Sequence, residues 1–188
     1  PSSRPRAAMN DAKPLLLHPD RLFPSDPVQR PIARRLYAQV AGLPIISPHG
    51  HTDPAWFAGD EAFANATELL LVPDHYVFRM LYSQGIPLDA LGIPRADGSR
   101  AAVDPRAAWR MFAERFHLFR GTPSSMWLNH VFHDVFGLDV RLDAGTADEY
   151  YDTITAALQA PQFRPRALFE RFGIEVIAPT ESPLDPLA

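Results

Sequence analysis

The sequence has no cysteine among its 188 residues. This excludes thiol nucleophiles, thiolate-held zinc and disulfides, so any bound metal must be held by imidazole and carboxylate. A thiol-free chain also suits a reducing cytoplasm. No single sign of charge dominates: 18 Lys+Arg against 22 Asp+Glu leave a net charge of −4. Without a basic tract to meet a phosphate backbone, nucleic acid is not an expected partner. No apolar run approaches the roughly 18 residues of a membrane span, and no secretory pattern stands at the start.

What remains is the material of an ordinary folded domain, 46% hydrophobic and 21% charged. Proline is abundant, with 20 residues. The prolines sit mostly at segment boundaries, where the first turn of a helix tolerates them. Residues 1–14 lack periodicity and are expected to be a disordered or extraneous extension, with Met9 a native start.

The expected organisation follows from hydrophobic spacing. Ser25-Asp26-Pro27 reads as a helix start, with Ile32, Leu36, Tyr37 and Val40 forming an apolar stripe that ends at Gly42. Leu43-Pro44-Ile45-Ile46-Ser47 reads as a short buried strand that breaks at Pro48. From about Glu61 to Phe169 the period is helical. Helices are expected over Pro73–Gln84, from Asp104-Pro105, from Pro123, after Thr146 and from Phe163 to Phe172. Ile174–Ala178 reads as a second strand. The units are therefore 15–58 (first helix and strand), 59–172 (a helical insertion) and 173–188 (second strand and loop). Two strands alone make a poor sheet, so the fold reads as unfinished.

His49-Gly50-His51 is the sharpest chemical feature. Residues two apart on a strand point to one side, so both imidazoles can meet one divalent ion. On the pair alone, a polar loop is an equal reading, and the apolar strand before it favours metal. Asp53 is a candidate to orient a ligand histidine. In Asp74-His75-Tyr76-Val77-Phe78-Arg79, His75 and Arg79 lie one turn apart on a helix and Asp74 sits in the first turn. Such a face suits an anionic, hydroxylated ligand, although these residues alone favour a solvated helix face. For His130 and His133 a second metal site is conceivable, but no carboxylate clearly completes it, and core or surface histidines are the favoured reading. His18 and His117 read as structural or solvated, and Trp127, Phe132 and Phe136 as core. Glu181 and Asp185 follow the second strand, where Asp185 reads as loop solvation.

Four stretches resemble the uronate isomerase (glucuronate isomerase) family of the metal-dependent amidohydrolase superfamily. They are Leu22 to Tyr37, Ile45 to His51, Asp74 to Met80 and Phe169 to Pro183. The D-H-Y-x-x-R helix is the most specific, and Pro179 departs from the family's usual threonine. The resemblance implies an α/β fold: the amino-terminal part of a metal-dependent (β/α)8 TIM barrel with a large helical insertion. It implies interconversion of D-glucuronate with D-fructuronate, and of D-galacturonate with D-tagaturonate. It further implies that His49 and His51 hold a divalent metal, with zinc the first choice and manganese or iron the alternatives. His75 and Tyr76 would touch and transform the sugar, and Arg79 would help to bind it. A tyrosine, with an ordinary pKa near ~10, needs activation to carry a proton. The expected partners are a small sugar acid and, optionally, further copies of the chain.

Two other readings stand beside this one. The first is another metal-dependent hydrolase of the same superfamily. The second is a catalytically silent piece, with weak metal affinity and no turnover as an isolated chain.

Overall fold

A computed structural model describes residues 13–180. Most of the expected extension, and with it Met9, lies outside the described residues, as do Glu181 and Asp185. The chain divides into two compact units, residues 18–62 with 158–180 and residues 13–17 with 63–157.

The first unit opens with helix α1 (Gln29–Val40). Asp26 starts it, its Oδ1 accepting the amides of Val28 and Gln29 at 2.8 Å each. Strand β1 (Ile45–Gly50) follows, then α2 (Pro54–Gly59). After residues 60–157, helix α8 (Pro165–Arg171) leads to strand β2 (Ile174–Pro179). The two strands pair in parallel, Ile45 opposite Ile174 and Gly50 opposite Pro179. Parallel neighbours need a crossover, and residues 51–173 supply it. Gly173, at φ 62°, ends α8 and turns the chain into β2, a conformation glycine adopts without a Cβ penalty.

Two expectations for β1 are corrected. The strand does not break at Pro48 but runs to Gly50, so His49 is itself a strand residue. Proline lacks an amide to donate, and the register shifts across it, between Ser47 and Gly50. Nor is the strand buried: Ile45 and Ile46 are 49% and 62% exposed. A two-stranded sheet has too little surface to cover its own faces. The α1 stripe is likewise open, with Ile32, Leu36, Tyr37 and Val40 all exposed.

The second unit is helical. It contains α3 (Ala66–Leu70), α4 (His75–Ser83), α5 (Pro105–Glu114), α6 (Pro123–His130) and most of α7 (Ala147–Leu158). Its starts are capped by the polar residues before them. Asp104 Oδ1 accepts the Arg106 amide at 3.0 Å, and Thr122 Oγ1 accepts that of Ser125 at 3.2 Å. The core is an aromatic cluster. Trp109 and Phe112 lie 5.2 Å apart, Phe112 and Phe119 5.8 Å, and Phe132 and Tyr150 5.0 Å, mostly edge to face. The polar ends of these rings are satisfied: Trp109 Nε1 donates to Ala147 O at 3.0 Å, and Tyr150 donates its hydroxyl to Val140 O. Burial pushes the Tyr150 phenol well above its ordinary pKa. Phe132 is fully buried as expected, whereas Trp127 is 36% exposed and so no core residue.

Candidate functional site

In the first unit, β1 delivers His49 and His51 at its carboxyl end. Their ring centroids are 5.1 Å apart at 81°. Both side chains are exposed. Thr180, directly after β2, holds this end in three ways. Its amide donates to Gly50 O at 2.8 Å. Its hydroxyl donates to the same carbonyl at 2.9 Å. Its Oγ1 also lies 3.2 Å from His51 Nδ1. With the hydroxyl proton on Gly50, Oγ1 can take a hydrogen bond from an Nδ1–H of His51.

Asp53, the candidate to orient a ligand histidine, uses one carboxylate oxygen at the start of α2. Its Oδ1 accepts the Ala55 amide at 2.9 Å and caps α2. Helix α2 is in turn clasped by α8. Arg166 donates to Phe57 O at 2.8 Å and to Ala58 O at 3.0 Å, while Asp60 accepts the Arg166 amide at 3.0 Å. Asp60 sits at φ 50°, in the left-handed region that aspartate tolerates better than most residues.

In the helical unit, Asp74 is not in the first turn of α4 but is its cap. Its Oδ1 accepts the amides of Tyr76 at 2.8 Å and Val77 at 3.2 Å. This presents His75 and Tyr76 at the start of the helix, with ring centroids 4.2 Å apart. Tyr76 is 68% exposed, and Arg79, one turn on, is also exposed. His49 and His51 thus belong to one unit, and His75, Tyr76 and Arg79 to the other.

The second histidine pair has a carboxylate after all. A π-helical turn over Val131–Val135 brings Asp134 to His130 Nδ1 at 2.6 Å and to His133 Nδ1 at 2.5 Å. These are hydrogen-bonded pairs; among the described residues no three His, Cys, Asp or Glu side chains are grouped to hold a metal. His18 is used locally, its Nδ1 accepting the Asp20 amide at 3.0 Å. No described helix is long and apolar enough to cross a membrane.

Residues 27–188 match the family model for glucuronate isomerase. The chain belongs to the glucuronate isomerase family. It is 82% identical over 173 residues to the uronate isomerase of Xanthomonas euvesicatoria pv. vesicatoria, covering 92% of this chain and 37% of that protein. It is 71% identical over 175 residues to the uronate isomerase of Sphingopyxis alaskensis, covering 93% and 36%. The crystal structure of glucuronate isomerase from Caulobacter crescentus superposes with a TM-score of 0.88 at 62% identity, over 93% of this chain and 36% of that one. Uronate isomerase from Thermotoga maritima matches at a TM-score of 0.65 and 26% identity. This chain therefore spans a little over a third of the length of the family members it matches.

Proposed function

We propose that this chain contributes the metal-holding strand and the sugar-facing helix of a uronate isomerase. The reaction interconverts D-glucuronate with D-fructuronate, and D-galacturonate with D-tagaturonate. What most supports the reading is His49 and His51 at the open end of a parallel strand, in a chain 82% identical to a uronate isomerase. We read β1 and β2 as the first two strands of a (β/α)8 barrel, the helical residues between them as an inserted subdomain, and the cytoplasm as its compartment. In such barrels chemistry takes place at the carboxyl ends of the strands, the end at which both histidines stand.

The isomerisation needs no external oxidant. After ring opening, C2 loses a proton to give an enediolate. C1 then gains a proton, and the hydroxyl proton passes from O2 to O1. His49 and His51 fit a divalent ion, because two imidazoles share one strand end. Zinc, manganese and iron all suit imidazole with carboxylate, and such an ion supplies Lewis acidity toward a substrate oxygen. Arg79 is the natural partner for the uronate carboxylate. His75 hydrogen-bonds sugar oxygens, and Tyr76 carries the proton at the C1–C2 pair.

The test is a chimera in which this chain replaces the matching 37% of its 82%-identical relative. Conversion of uronates with no cleavage of amides or esters is the expected result. Hydrolysis of those substrates would favour the other metal-dependent hydrolases. The isolated chain, with two such ligands in place, is expected to turn over no uronate.

A further inference from the structure

We propose that the helical unit carries an anion-binding pocket of its own, for a small molecule bearing a carboxylate or phosphate. The pocket is a cavity of ≈ 430 Å³, within the size range of small-ligand sites. Its apolar floor is made by the buried side chains of Leu15, Phe116 and Leu142. Lys13, Arg120 and Arg141 also line it. All its lining residues belong to the helical unit.

The cations around the cavity are not spent on one another's counter-ions. Arg120 makes no side-chain hydrogen bond or ion pair among the described residues, nor does the Lys13 ammonium. Arg141 uses only its Nε, which donates to Pro14 O at 3.2 Å, and its two terminal nitrogens remain. The two carboxylates on the cavity wall are already occupied. Glu114 accepts from Arg115 Nη1 at 3.0 Å. Asp143 accepts the amides of Gly145 at 2.8 Å and Thr146 at 3.2 Å. Ser125 Oγ accepts from Asn129 Nδ2 at 3.2 Å, so its own O–H is left as a donor. Three cationic groups and a hydroxyl donor around an apolar floor suit an anionic head on a compact organic body. With Lys13, Arg120 and Arg141 against Glu114 and Asp143, the lining keeps a small excess of positive charge in a chain of net charge −4.

The experiment is calorimetric titration of inorganic phosphate and, separately, malonate into the 188-residue chain at low ionic strength. Saturable one-site binding of either probe is expected, and the tighter of the two identifies the head group. Arg120→Gln should weaken it by about ten- to hundredfold, the worth of one charge-assisted hydrogen bond. The thermal midpoint should not move, because Arg120 is exposed. Arg35→Gln, on α1 of the other unit, should bind as the parent does. Absence of saturable binding, an Arg120→Gln variant that binds normally, or an equal loss in Arg35→Gln would each overturn the proposal.

Discussion

The Thr180 Oγ1 lies 3.2 Å from Nδ1 of His51 and 2.9 Å from the Gly50 carbonyl to which it gives its proton. One hydroxyl thus ties the two strand ends together and contacts the His51 ring. Losing such a partner typically weakens metal binding by about 10- to 100-fold. Thr180→Val in the chimera should show a loss of that size in zinc titrations, and Thr180→Ser should retain most of the affinity. Unchanged affinity in Thr180→Val would remove Thr180 from the site.

Asp74 is assigned to the backbone of α4 rather than to the sugar. Asp74→Ala should cost about 1 kcal/mol of stability, and Asp74→Asn, which still caps, only a fraction of that. Denaturant midpoints check both. If Asp74→Asn keeps its stability but abolishes uronate turnover in the chimera, the carboxylate has a chemical role beyond the cap.

Phe112 sits fully buried at the centre of the aromatic cluster, within 6 Å of Trp109, Phe116 and Phe119. Phe112→Ala should destabilise the helical unit by about 3–5 kcal/mol, through lost transfer energy and the cavity left behind. Urea unfolding followed by tryptophan fluorescence measures it. A cost under about 1 kcal/mol would mean that the cluster is not the core.

Asp148 gives the helical unit a pH dependence. Hydrogen bonds from Arg110, reinforced by Arg106, hold its carboxyl below the ordinary value of 3.8. A depressed folded-state pKa means that the unfolded state takes up its proton first as pH falls. The contribution is therefore complete above the ordinary value and fades as pH drops through the depressed one. Screening at this exposed position limits it to about 1 kcal/mol or less. Asp148→Asn should be less stable than the parent at neutral pH and equal to it in strong acid. A stability gap that persists in acid would place the effect elsewhere.

The legibility of the sequence divides along sequence distance. Helix starts at Asp26, Asp104 and Pro123 were readable because capping is a matter of two or three residues. The His49–His51 spacing was readable from the two-residue period of a strand. Thr180 was not, because its bond to His51 joins residues 129 apart in sequence. The link from Asp134 to His130 was within reach of the sequence, because the two stand at the i,i+4 spacing of an ordinary helix. The apolar run of β1 correctly signalled a strand, but its expected burial depends on neighbours that two paired strands do not provide.

The central claim is that His49 and His51 hold the ion a uronate isomerase needs. The most direct test is D-glucuronate turnover and bound-metal content of the chimera beside its His49→Ala/His51→Ala form. The account predicts a stoichiometric ion and turnover in the first, both lost in the second. Full turnover with both histidines removed would contradict it.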